Sequence, residues 1–116
     1  MAFPATAVSI AQAREFVRSE AAAYPGEVVD RAELIASELA TNAVRHTGSP
    51  YSLTIKTDDT LRIEVFDGNL SPPVLQPKNP HAPGGRGLRV IAALAREWGY
   101  QSRSNGKVVW AEISPA

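Results

Sequence analysis

The amino-acid sequence predicts an α/β (α+β) two-layer sandwich: a mostly antiparallel, mixed sheet of four or five strands with three helices on one face. Three observations predict it. Apolar residues recur at helical spacing in two segments before residue 47 and in one after residue 85. Segments of apolar–polar alternation lie between them and close the chain. Each alternating segment has one apolar and one polar face, the pattern of a sheet covered by helices on one side only.

The elements follow in order. Few residues precede the first helix, leaving room for one short strand at most. The first helix is predicted over residues 9 to 23, with Ile10, Ala13, Phe16 and Val17 at helical spacing and Arg14, Arg18 and Glu20 elsewhere on its surface. Ser9 is its expected N-cap. Pro25-Gly26 breaks the chain. A second helix is predicted from Glu27 to His46, and Asp30 with Glu33 forms an alternative capping box one turn further on. Thr47-Gly48-Ser49-Pro50 ends it. Tyr51, Leu53 and Ile55 then alternate with Ser52, Thr54 and Lys56, and Leu61, Ile63 and Val65 alternate with Arg62 and Glu64. The polar link Thr57-Asp58-Asp59-Thr60 makes these a hairpin.

Residues 67 to 87 hold five prolines and four glycines and read as a loop. A loop of that length inside a compact domain is uncommon and often serves as an active-site lid. A third helix is predicted from Arg86 to Trp98, with Leu88, Ile91, Leu94 and Ala95 facing inward. Two closing strands, Tyr100–Arg103 and Lys107–Ile113, are joined by a turn at Asn105-Gly106.

Length and composition bound the function. At 116 residues the chain reads as one domain, 1–116, with enough apolar sequence for a core. The formal net charge is zero, so no broad basic surface points to nucleic acid or to an anionic membrane. Cysteine is absent, which excludes disulfides, thiolate metal sites and cysteine nucleophiles. No apolar run approaches the roughly 20 residues of a membrane span, and no secretory signal is visible. The expected location is cytoplasmic.

Three groups of residues could carry chemistry. Glu38 and Asn42 stand four apart, on one face of the second helix, and His46 continues their stripe. The apolar stripe Ile35, Leu39 and Ala43 runs beside it. A carboxylate near a carboxamide oxygen suits two linked tasks, activating a hydroxyl and holding Mg²⁺. The competing reading is a solvated helix face, with His46 capping the helix end and Arg45 a surface charge. Asp67-Gly68 ends a strand; the Asp is placed to accept a hydrogen bond from an exocyclic amine such as that of adenine, or simply to form a turn. Gly84-Gly85-Arg86-Gly87-Leu88 opens the third helix. Glycines there let backbone N–H groups reach phosphate oxygens, and the helix N-terminus favours an anion; a plain loop-to-helix junction uses glycine too. Trp98 and Trp110 read as packing.

Taken together, the order of these motifs resembles the GHKL superfamily of ATP-binding domains, shared by gyrase and histidine kinases, with their Bergerat-type fold. Glu38-Leu39-Ala40-Thr41-Asn42-Ala43 is similar to that superfamily's N-box, Asp67-Gly68 to its adenine motif, and Gly84-Gly85-Arg86-Gly87-Leu88 to its second glycine motif. The string SELATNAVRHT and the ending GKVVWAEI look most like the anti-sigma-factor serine/threonine kinase branch. The resemblance covers nearly the whole chain. It implies ATP and Mg²⁺ as cofactors, with Glu38 the general base and Asn42 the metal ligand. It implies Asp67, with Gly68, at the adenine amine, and Gly84, Gly85, Arg86, Gly87 and Leu88 around the phosphates.

The implied activity is phosphorylation of a small anti-sigma-factor antagonist protein in partner switching, with a sigma factor as a second partner and a homodimer among the arrangements the branch adopts. A full histidine kinase needs a dimerising helix hairpin for which 116 residues leave no length, so a nucleotide domain standing alone is expected. One departure stands out. The family's first glycine motif often reads Asp-x-Gly-x-Gly, whereas Asp67 is followed by Gly68-Asn69-Leu70-Ser71. That favours the alternative, a non-catalytic, nucleotide-regulated binding module that sequesters a sigma factor or other partner; the intact Glu38 favours the kinase.

Overall fold

The computed structural model describes residues 1–48, 50–69 and 87–115, with residues 46, 47, 87 and 88 described by their backbone alone. Along the chain lie β1 (Ala2–Phe3), α1 (Ala7–Glu20), α2 (Gly26–Thr47), β2 (Tyr51–Thr57), β3 (Leu61–Asp67), α3 (Gly87–Leu94), β4 (Glu97–Arg103) and β5 (Gly106–Ile113). The strands form one sheet in the order β1-β2-β3-β5-β4. The predicted sandwich is therefore present, with the higher of the two strand numbers. Its sheet is not mixed: every described pair is antiparallel. The reason is the last hairpin. After α3 the chain enters β4 at the sheet edge, and β5 folds back between β4 and β3, so β3 and β4, which run in the same direction, never touch.

All three helices pack on one face. The α2 helix lies over β2, β3 and β5, α1 packs on α2 and β2, and α3 on α2 and β4. Alternation places Leu53 of β2, Leu61, Ile63 and Val65 of β3, and Val109, Ala111 and Ile113 of β5 in the buried core. Facing them, α2 buries Ala32, Ile35, Ala36, Leu39, Ala40 and Ala43. Four of these are alanines, whose small side chains let the helix axis sit close to the sheet. On the opposite, uncovered face, Arg62 spans the strands. It bonds Glu64 at 2.7 Å and Glu112 at 2.8 Å, and its guanidinium lies 4.2 Å above the Trp110 ring. Burial works to lower the Arg62 pKa, but its two carboxylate partners outweigh this and raise it. Gly99, opposite Trp110, has no room for a side chain: a Cβ there would lie 2.9 Å from the ring.

Several element ends differ from expectation. The α1 cap is Thr6, whose hydroxyl accepts from Ser9 N–H at 3.3 Å, and α1 ends at Glu20. Ser9 lies in the first turn instead and is fully buried. The α2 helix starts at Gly26 after Pro25, with no side-chain cap; Glu33 is drawn away to Arg18 at 2.8 Å rather than closing a box with Asp30. The α3 helix stops at Leu94, so Trp98 belongs to β4. The ladder takes over there: Arg96 N–H donates to the Glu112 carbonyl at 2.7 Å. The final turn is Ser104-Asn105, with Gly106 already in β5.

The N-terminal strand is fixed by an aromatic contact. Phe3 stacks on Tyr51 at 5.6 Å between ring centroids, and the Tyr51 and Ser9 hydroxyls are 2.8 Å apart. Burial pushes the Tyr51 pKa up, with the Ser9 hydrogen bond acting in the opposite direction. The folded protein therefore holds this proton more tightly than the unfolded chain, whose Tyr ionises near pH 10. The associated stability is fully present below about pH 10 and is lost as pH rises through the folded value. Tyr51→Phe is expected to cost about 1 kcal/mol at neutral pH through the lost hydroxyl contact, and to flatten the fall in stability above pH 10. Urea unfolding of both proteins at pH 7 and pH 11 checks this; an unchanged alkaline slope would contradict it.

Candidate functional site

The topology gathers the candidate residues at one end of the sheet. The end of β3 and the start of β5 are paired there, with Asp67 opposite Lys107. The start of β2 lies at the same end, opposite Phe66. The α2 helix reaches it through a short link that leaves the helix at Gly48, whose φ of 64° is the left-handed conformation that ends helices. The last turns of α2 therefore lie over this end of the sheet. At 1.5 Å per residue, Asn42 stands about one to two turns from the helix terminus and Glu38 a turn further back.

Asp67 is not an isolated acceptor. Its Oδ1 receives Lys107 Nζ at 3.0 Å and the Asn69 backbone N–H at 2.9 Å. Lys107 Nζ also donates to the Asn69 carbonyl at 3.3 Å. The two side chains are only 7% and 5% exposed, Lys107 and Asp67 respectively. Each charge would be costly to bury alone; paired and hydrogen-bonded, each compensates the other. Gly106 makes the approach of β5 possible. A Cβ built on it would collide with the Asp67 carbonyl oxygen, 2.0 Å away. That contact requires a glycine here, and pairing with Arg103 makes Gly106 part of the strand and not of the turn.

Glu38 is buried, at 4% exposure, between Ile35 and Leu39 of the core face, and it has a partner within the molecule. The solvated-face reading of Glu38 is thereby overturned. Asn42 is half-buried and Arg45 exposed. Between Glu38 and Asn42, Thr41 turns its hydroxyl back to the Ser37 carbonyl at 2.6 Å, the usual way a mid-helix threonine satisfies itself. Gly68 follows Asp67 at the exposed end of β3. Gly84, Gly85 and Arg86, and the lid beyond residue 69, lie outside the described residues. Gly87 and Leu88 open α3, whose Ile91 is fully buried; their side chains, and that of His46, also lie outside the description.

Among the described residues, no three His, Asp or Glu side chains converge into a metal cluster. Magnesium in nucleotide sites needs only one or two protein oxygens beside phosphates and water, and the half-buried Asn42 carboxamide fits that requirement. Asp67 does not, because the Lys107 ammonium already stands where a cation would bind.

Sequence reasoning missed Lys107. The signal was available: Lys107 shares the parity of Val109, Ala111 and Ile113 in β5, so alternation puts it on the core face, where a lysine needs an anion.

A model of the histidine kinase-like ATPase domain family matches residues 3–113. The chain belongs to this family. It is thus a histidine kinase-like ATPase domain of the GHKL superfamily, as the motif order suggested. No curated protein matches it. Among solved structures it resembles the catalytic domain of the histidine kinase ThkA in a nucleotide-free form, with a TM-score of 0.56 and 16% identity over 99% of this chain and 95% of that one. It also resembles the histidine kinase domain of a blue-light activated histidine kinase from Erythrobacter litoralis, with a TM-score of 0.54 and 19% identity over 97% of this chain and 62% of that one. At these identities the two structures speak for the fold. Among the described residues no helix of this ATPase domain is long and apolar enough to cross a membrane.

The buried pair yields a stability test. Asp67→Ala, which leaves Lys107 uncompensated, is expected to cost about 3–5 kcal/mol, and adding Lys107→Met should recover much of that loss. A denaturant-unfolding cycle over the two single variants and the double variant measures the coupling. Simple additivity would contradict the pairing.

Proposed function

We propose that this domain is an ATP-dependent serine/threonine protein kinase that phosphorylates a small anti-sigma-factor antagonist protein in a partner-switching system, and that it also sequesters a sigma factor. The observation that carries the reading is the placing of Glu38. A carboxylate buried on the core face of α2, one turn before a half-buried Asn42 and above the sheet end that holds Asp67, costs more than a surface position would. Its partner within the molecule offsets part of that cost, and the one-turn spacing to Asn42 is what favours a catalytic task for it.

In this reading the adenine amine is bound at Asp67, beside Gly68. The backbone amides of Gly84, Gly85, Gly87 and Leu88, together with Arg86, hold the phosphates. Asn42 supplies its carboxamide oxygen to Mg²⁺. The metal, when bound, neutralises phosphate charge. Glu38 orients the attacking serine or threonine hydroxyl and takes up its proton as the γ-phosphoryl group leaves ATP for that oxygen and ADP is released. Most of the catalytic effect in such a kinase comes from positioning and charge neutralisation; the proton transfer contributes typically about 10²–10⁴-fold.

A second reading, a nucleotide-regulated binding module without phosphoryl transfer, is favoured by the backbone after Asp67. Asn69 occupies the position of the first glycine in Asp-x-Gly-x-Gly, and its N–H already bonds Asp67 Oδ1. The two readings separate in a radiolabel-transfer assay with ATP, Mg²⁺ and a candidate antagonist protein. The kinase reading expects label on a serine or threonine of the antagonist, reduced about 10²-fold or more by Glu38→Gln. Equal transfer by the Gln variant would remove Glu38 as the base, and no transfer despite tight ATP binding would favour the binding module.

A further inference from the structure

The buried pair at the sheet end has a chemistry that narrows what it can bind. An ammonium carries three N–H donors and no acceptor, whereas a carboxylate only accepts. Among the described residues Lys107 donates to Asp67 Oδ1 and to the Asn69 carbonyl, two acceptors for three donors. Asp67 Oδ1 takes both donors assigned to this carboxylate, from Lys107 and from Asn69, and Oδ2 is the second acceptor. The pair as a whole is neutral. It therefore attracts neither a phosphate, which the carboxylate repels, nor a metal ion, which the ammonium repels. A neutral polar group with a donor and an acceptor side by side is its complement.

We propose that Lys107 is a specificity-determining residue for the nucleotide base. Together with Asp67 it reads one edge of adenine: the exocyclic amine donates to the Asp67 carboxylate, and Lys107 donates to the adjacent ring nitrogen N1. This rests on the reading that adenine is bound at Asp67, and extends it to a residue outside the motifs. Cross-strand pairing sets the two groups side by side, and the close approach that Gly106 permits holds the strands together there. Both side chains are almost fully buried, so a hydrogen bond to the base formed here would face little competition from water. The ion pair also explains how the carboxylate can wait for its ligand in the core without being stranded as a lone charge.

The test uses the full chain and three nucleotides in titration calorimetry: ATP, an ATP analogue with C–H in place of N1, and an analogue lacking the exocyclic amine. The wild-type protein is expected to bind each analogue about tenfold or more weakly than ATP, the loss typical of a hydrogen bond to a charged group. Lys107→Met should bind ATP and the N1-substituted analogue equally, while still discriminating against the analogue without the amine. Lys107→Gln, which keeps an N–H donor, should retain part of the N1 preference, and it serves if the Met variant does not fold by circular dichroism. Equal wild-type affinity for ATP and the N1-substituted analogue would overturn the role of Lys107 and leave ATP binding standing. Absence of ATP binding altogether would overturn both.

Discussion

The α2 helix is the element on which the rest of the molecule depends. It runs for 22 residues over three of the five strands, and its face of alanines with Ile35 and Leu39 provides most of the contact between the layers. The same helix carries Glu38 and Asn42. Core and candidate site are thus two stripes of one surface, and any change that tilts α2 moves both. Among the described residues Glu38, beside Leu39, is the one place where this packing face buries a charge, and it is the position with the strongest functional argument.

The second constraint is electrostatic. Asp67 and Lys107 end adjacent strands, and each depends on the other to be buried. Their register is fixed by alternation: moving β5 by one residue would carry Lys107 to the open face and strand Asp67 in the core. Gly106, pressed against the Asp67 carbonyl, locks that register from the backbone side. The sheet end is therefore fixed in register where Asp67 and Lys107 face each other.

Much of this was legible in the chain itself. Period-two alternation located β2, β3 and β5, and the helical stripe Ile35-Leu39-Ala43 located α2 to within a residue. The ends were harder, because capping and strand pairing compete over single residues. Ser9 has the chemistry of a cap, but Thr6 is placed to take that role, and Ser9 is turned inward to Tyr51. Trp98 fits a helical spacing, yet the hydrogen bonds offered by β5 draw it into β4. Asn105-Gly106 is a common turn pair, but pairing with Arg103 takes Gly106 into the strand. Glu38 and Asn42 were identifiable by spacing and motif, but spacing alone could not show that Glu38 is buried. Lys107 required knowing which strand faces Asp67, a tertiary fact.

The functional reading rests on a nucleotide site at the end of the sheet beneath α2, with Asn42 serving the metal. Calorimetric titration of the full chain with ATP, with and without Mg²⁺, and of Asn42→Ala under the same conditions, tests it most directly. Binding is expected to strengthen when magnesium is added, with that gain abolished in the Asn42 variant. Binding indifferent to magnesium, or no binding up to millimolar ATP, would contradict it.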